Sequence, residues 1–62
     1  MPEPTMHMPR KWRESNVGWR YFNRGWDDAV QGLPNSYKGA MAAMMLVIDH
    51  GQVALQAYED AR

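Results

Sequence analysis

Apolar residues in the middle of the chain recur at intervals of three and four positions. Between residues 19 and 33 this spacing places them on one side of an α-helix. The members of this apolar side are Trp19, Phe22, Trp26, Ala29, Val30 and Leu33. Ser15 and Asn16, just upstream, are both good N-cap residues. The pattern therefore predicts helix A over residues 15–31.

A second apolar pattern follows after a turn. Gly32 suits a helix C-terminus with positive φ, and Pro34 prevents the helix from continuing. Beyond the turn at 32–36, the three- and four-residue spacing resumes and predicts helix B over residues 37–61. Because short loops join antiparallel neighbours, residues 11–62 are predicted to be all-α, as a two-helix antiparallel hairpin.

The first ten residues lack this periodicity. They contain Pro2, Pro4 and Pro9, and proline fixes φ and removes a backbone donor. The sequence therefore predicts a flexible, disordered N-terminal arm over residues 1–10. His7 is a single histidine within that arm, so it does not indicate a metal site.

Two glycines lie inside helix A, where they reduce stability. A mid-helix glycine costs about 1 kcal/mol relative to alanine, so Gly18 and Gly25 need a compensating role, and close contact with another helix is one. We expect helix B or a partner helix to cross helix A at Gly25 and Ala29, with Trp26 closing one flank. Leucine at position 25 should then destabilise by overpacking, whereas alanine gains helix propensity and adds only a methyl group.

Residues 40–48, AMAAMMLVI, are apolar almost all round. A hairpin covers one side of such a segment, so Met41 and Met44 are expected in its core, with Ala42 and Met45 on the outer side. A chain of 62 residues buries only ~60% of its unfolded surface and has no cysteine for a disulfide. We therefore expect the hairpin to dimerise into a four-helix bundle or to dock on a larger partner.

The charge is balanced overall but divided between the two halves. Residues 1–24 hold five basic and two acidic residues, a net +3, and residues 25–62 hold two basic and five acidic residues, a net −3. Arg10–Arg13 forms a basic patch that suits phosphate, with its tryptophan stacking on a base. The alternative is a solvated lead-in to a helix. The candidate nucleic-acid contacts are Arg10, Lys11, Trp12, Arg13, Arg20 and Arg24.

No constellation of side chains indicates catalysis, a metal or a cofactor. Asp27 and Asp28 are adjacent in sequence, as are Asp49 and His50, and adjacent helical side chains do not face each other. Metal-binding and phosphate-loop motifs are missing from the sequence. We therefore expect a non-enzymatic protein without a cofactor or a small-molecule substrate.

Localisation is indicated by the apolar runs. The run at 40–48 is much shorter than the ~20 residues of a membrane-spanning helix. Residues 1–9 lack the apolar core of a secretory signal. We expect a cytoplasmic protein without a membrane partner.

Two segments, one in each predicted helix, share an order of residue types. RGWDDA at 24–29 and QAYEDA at 56–61 both read polar, small, aromatic, acidic, Asp, Ala. The small residue and the alanine four positions later share a helical face. Two such units could pack small against aromatic, and chance similarity is the alternative.

These segments resemble the signature of the ribosome modulation factor family. Its first helix reads Arg-Gly-aromatic-x-x-small-x-x-Gly, and its second reads small-aromatic-x-x-Ala. The matching positions are Arg24, Gly25, Trp26, Ala29, Gly32, Ala57, Tyr58 and Ala61, with Tyr37 at the place of a Pro-Tyr turn. The resemblance covers residues 23–61 and implies a two-helix chain that binds ribosomal RNA. That family is strongly basic, whereas this chain is neutral.

Three functions compete at this point. The first, favoured by the neutral charge, is an inhibitor- or adaptor-like regulator that docks a helical face onto a larger protein. Its candidate contacts are Trp19, Phe22, Gly25, Trp26, Ala29, Met41, Met44, Met45 and Ile48. The second is the ribosome- or RNA-binding factor that the resemblance implies. The third is a small structural subunit of a larger assembly, such as a phage virion.

Overall fold

Residues 4–62 are described by a computed structural model, and they form five α-helices and no strand. The helices are α1 Pro4–His7, α2 Arg10–Arg13, α3 Asn16–Val30, α4 Ala40–His50 and α5 Gln52–Ala61. The predicted all-α class is therefore confirmed for this part of the chain. None of these helices is both long and apolar enough to cross a membrane.

Helix α3 corresponds to the predicted helix A, and its ends are fixed by local hydrogen bonds. At its start, the Ser15 hydroxyl accepts a hydrogen bond of 3.0 Å from the Gly18 N–H. At its end, Gly32 has a φ of 72°, and the Leu33 N–H donates back to the Asp28 carbonyl at 2.9 Å. This is the glycine-capped end that the sequence predicts.

The predicted helix B is divided into two helices. Gly51 has φ 94° and ψ 164°, a conformation that L side chains rarely adopt, and it separates α4 from α5. The prediction of one continuous helix over residues 37–61 is therefore wrong. The connection between α3 and α4 is also longer than predicted, because it extends to Gly39.

The N-terminal segment contains short helices. Of the arm predicted over residues 1–10, residues 1–3 lie outside the described residues. Pro4 is the first residue of α1 and Pro9 is the N-cap of α2, where the missing proline N–H costs nothing. The Met8 side chain between these helices is only 4% exposed.

The main packing contact joins α3 to α5. Helix α5 also contacts α4, while α1 and α2 pack on α3. The Cα atoms extend over 31 × 27 × 12 Å, so the molecule is flat. A flat arrangement leaves much helix surface without a neighbour. In place of two helices side by side, α3 and α4 each pack on α5.

The hydrophobic core is small and is built mainly by α3 and α5. Its buried members are Met8, Trp12, Tyr21, Phe22, Leu46, Ala54, Ala57 and Tyr58. Helix α4 contributes one of these eight residues, although it has the most apolar sequence of the five helices. Most of its apolar side chains therefore lie outside the core.

Candidate docking surface on α4

Helix α4 turns its large apolar side chains outward. Leu46 is its only buried residue. The exposed fractions of the outward residues are 72% for Met41, 56% for Met44, 57% for Met45 and 73% for Ile48. These positions are i, i+3, i+4 and i+7, which share one helical face. We call these four residues the methionine face.

The exposure of the methionine face contradicts part of the prediction made from the sequence. Met41 and Met44 were expected to fill the hairpin core, and that expectation is wrong. Leu46 takes the inward position instead, with Ala42, Ala43 and Val47 partly covered beside it. Met45 and Ala42 were assigned to the same outer side, but only Met45 belongs to the exposed face.

The position of α4 is fixed at its start by a buried tyrosine of α5. The Tyr58 hydroxyl accepts a hydrogen bond of 3.1 Å from the Ser36 N–H and donates one of 2.5 Å to the Asp28 carboxylate. The Tyr37 ring meets the Tyr58 ring edge-on, with 4.8 Å between their centroids. These contacts join the loop before α4 to both α3 and α5.

The same loop contains a second tyrosine, Tyr37, which is partly buried. Burial raises the pKa of the Tyr37 hydroxyl above its ordinary value of 10.0. The Arg24 guanidinium, 5.7 Å from the Tyr37 ring centroid, lowers that pKa but does not outweigh burial. Tyr37 is therefore neutral at physiological pH and acts as a packing residue. Arg24, Tyr37 and Tyr58 belong to the family resemblance, but their contact was not predicted, because they are distant along the chain.

The crossing of α3 and α5 occurs at Gly25. A Cβ atom at Gly25 would lie 3.0 Å from the Ala61 Cβ and would overlap the Tyr58 carbonyl oxygen. The predicted close contact at Gly25 is therefore confirmed, and it brings the RGWDDA and QAYEDA segments together. Ala29 is exposed, so the expectation that it shares the crossing is wrong.

The other glycine expected inside helix A, Gly18, lies in the first turn of α3 and under a tryptophan. A Cβ at Gly18 would come within 2.8 Å of the Trp12 ring. Trp12 is buried, and its indole N–H donates a hydrogen bond of 2.6 Å to the Asp60 carboxylate. The proposed stacking of Trp12 on a base is therefore wrong for this structure, since the ring holds α2 against α3 and α5.

The basic residues near the N-terminus have partners of their own. Arg10 pairs with Glu14 at 3.0 Å, and the Lys11 ammonium lies 3.9 Å from the Asp60 carboxylate. Both pairs are largely exposed and therefore weak. Arg13 and Arg20 are exposed as well, so basic groups do reach the surface, but without an exposed Trp12 among them.

The nine candidate protein contacts do not share one surface. Phe22 and Gly25 are buried within the fold, so they are not available to a partner. Trp19 is 44% exposed, while Trp26 is partly covered and stacks on the His7 ring at 4.9 Å. These residues belong to α3, which packs mainly on α5. Only the methionine face remains as a continuous exposed set.

Hollows elsewhere on the surface are open and shallow. One of about 220 Å³ is lined by Trp26, Ala29, Val30 and Ala61. Another of about 480 Å³ lies beside Trp12 and is lined mostly by polar residues of α5. Neither combines enclosure with convergent polar groups, which typical ligand pockets do.

Comparison of the chain with protein-family models, with curated proteins and with solved structures gave no match.

Proposed function

We propose that this chain is a small, non-enzymatic binding protein that docks the methionine face of α4 onto a larger protein. The observation that carries the proposal is the exposure of all four large side chains of that face, each more than half exposed. Scattered single apolar residues are common on protein surfaces, whereas contiguous apolar patches mark interaction sites.

The spacing of the face indicates how a partner is engaged. Helices that bind in grooves present anchors at i, i+3, i+4 and i+7, and Met41, Met44, Met45 and Ile48 have this spacing. Methionine side chains are flexible and polarisable, so they adapt to irregular grooves. A protein groove lined by aliphatic or aromatic side chains is the matching partner surface.

The test uses the full chain as bait in native lysate, with and without nuclease. The test variant is the double substitution Met41→Lys with Ile48→Lys, which places two charges on the face. Met6→Lys is the matched control, because Met6 is 79% exposed but lies on α1. Circular dichroism of all three proteins checks that the helices are retained.

We expect one nuclease-resistant protein to bind the wild-type chain and the Met6→Lys variant, and to lose at least tenfold in recovery with the double variant. Equal recovery with all three baits would contradict the proposal. Recovery of RNA instead, abolished by nuclease and unaffected by the double variant, would favour the ribosome-binding alternative.

A further inference from the structure

The methionine face is symmetric about its own centre. Positions 41 and 48, like positions 44 and 45, are equally distant from the midpoint of the face. If two copies of α4 pair antiparallel about that midpoint, Met41 of each copy meets Ile48 of the other, and Met44 meets Met45. A two-fold contact of this kind is self-complementary, because every contact is made twice.

We infer that a second copy of this chain covers the methionine face, through antiparallel pairing of the two α4 helices. The inference rests on the proposed docking role of the face. Before a larger protein binds, a second copy of the chain occupies the face. Helix α4 packs mainly on α5 and buries only Leu46, so its outer side is open to another helix.

Charge at the two ends of α4 selects the antiparallel direction. Lys38 lies two residues before the helix, and Asp49 lies in its last turn. Both are exposed, and neither forms an ion pair within residues 4–62. In the antiparallel pair, Asp49 of one copy lies opposite Ala40 of the other, and Lys38 lies two residues before Ala40. Parallel pairing would place like charges together.

Because the core is small, dimerisation is driven by the burial of additional apolar surface. Only eight hydrophobic residues are buried among residues 4–62. Chains this short usually add a disulfide, a metal or a second subunit. The chain has no cysteine, and the described residues contain no group of three or more side chains suited to hold a metal ion. A second copy provides the additional apolar burial.

Sedimentation equilibrium over the micromolar range tests the pairing. The wild-type chain and the Met6→Lys control are expected at twice the 7.2 kDa mass of one chain. Met44→Lys with Met45→Lys, at the centre of the face, is expected at the mass of one chain. If circular dichroism shows that this variant is unfolded, Met44→Gln with Met45→Gln replaces it, because glutamine keeps the shape without the charge. A monomeric wild-type chain, or a folded face variant that still dimerises, would overturn the inference.

Charge exchange tests the direction. Lys38→Glu and Asp49→Lys should each weaken the dimer several-fold, since each places like charges at both ends. The two changes together should restore wild-type affinity, because every end again carries opposite charges. Failure of the combined variant to recover would overturn the antiparallel arrangement.

The two proposals fail in different ways. A monomeric wild-type chain whose protein partner is still lost on Met41→Lys with Ile48→Lys overturns the self-pairing and leaves the proposed function standing. A dimer that depends on the face, combined with protein capture that does not, supports the self-pairing and overturns the proposed function.

Discussion

The crossing of α3 and α5 and the outer side of α4 are both rich in apolar residues, yet they end in opposite environments. At the crossing, Ala54, Ala57 and Tyr58 have no exposed surface. On α4, the four residues of the methionine face are all more than half exposed. Hydrophobic content alone therefore does not decide which helix forms the core.

Residue size separates the two regions. At the crossing, Gly25 leaves room for the Tyr58 backbone carbonyl and the Ala61 Cβ, so α3 and α5 come close together. The methionine face has no small residue at its centre, so no backbone can approach it closely. Such a face suits contacts made through its own long side chains rather than a tight helix crossing.

The largest expected effect is at the crossing itself. Gly25→Leu should destabilise the fold by about 3 kcal/mol, the upper end of the overpacking range, because even a Cβ atom would overlap the Tyr58 carbonyl oxygen. Chemical denaturation followed by circular dichroism measures the change. Ala29→Leu is the control one turn later, at an exposed position, and should change stability by less than about 0.5 kcal/mol.

Gly25→Ala sharpens the same comparison. The sequence alone favoured alanine at this position, on grounds of helix propensity. The structure reverses that expectation, since the neighbour that must move is the backbone of Tyr58. Overpacking should outweigh the propensity gain of about 1 kcal/mol, for a net loss of about 1 kcal/mol. A more stable alanine variant would show that the helices are farther apart at Gly25.

An effect between those of the two Gly25 variants is expected at the loop that positions α4. Tyr58→Phe removes the hydroxyl that joins Ser36 to Asp28 and should cost about 1.5–3 kcal/mol, as for hydrogen bonds to charged groups. Amide hydrogen exchange should also become faster at Ser36. Tyr21→Phe is the control, because the buried Tyr21 ring packs against Tyr37 and should tolerate the change within about 0.5 kcal/mol. Equal losses in the two variants would mean that the hydrogen bonds of the Tyr58 hydroxyl add no stability beyond that of the Tyr21 hydroxyl.

The smallest effect on the stability of a single chain is expected on the methionine face. Met44→Lys should change the free energy of unfolding by less than about 0.5 kcal/mol when measured under monomeric conditions, because the side chain is more than half exposed. Leu46→Lys, on the inward side of the same helix, should be strongly destabilising because it buries an unpaired charge. Similar losses at both positions would mean that Met44 packs within its own chain.

The sequence predicted the local features of the fold better than its long-range contacts. The N-cap at Ser15 and the glycine end at Gly32 depend on neighbouring residues, and both were recognised. Gly25 and Gly51 are both glycines within apolar helical patterns. Gly25 remains helical and leaves space for the neighbouring helix, whereas Gly51 breaks the helix at a φ of 94°. No local term distinguishes these two roles.

The candidate site was predicted only in part for the same reason. The sequence located the apolar run on α4 but assigned Met41 and Met44 to the core, because it assumed one straight helix through Gly51. Because the helix breaks at Gly51, α4 packs on α5, and a different side of α4 is buried. Trp12 was likewise assigned to the surface, because its partner Asp60 is 48 residues away in the sequence.

Methionine methyl resonances test the central claim most directly, since one spectrum contains three environments. A soluble paramagnetic agent should broaden the methyl groups of Met6, Met41, Met44 and Met45 in the dilute single chain and leave the buried Met8 sharp. When the chain dimerises or binds its partner, the methyl groups of Met41, Met44 and Met45 should become protected, while that of Met6 stays broadened. Continued broadening of all three in the bound state would contradict a docking role for the methionine face.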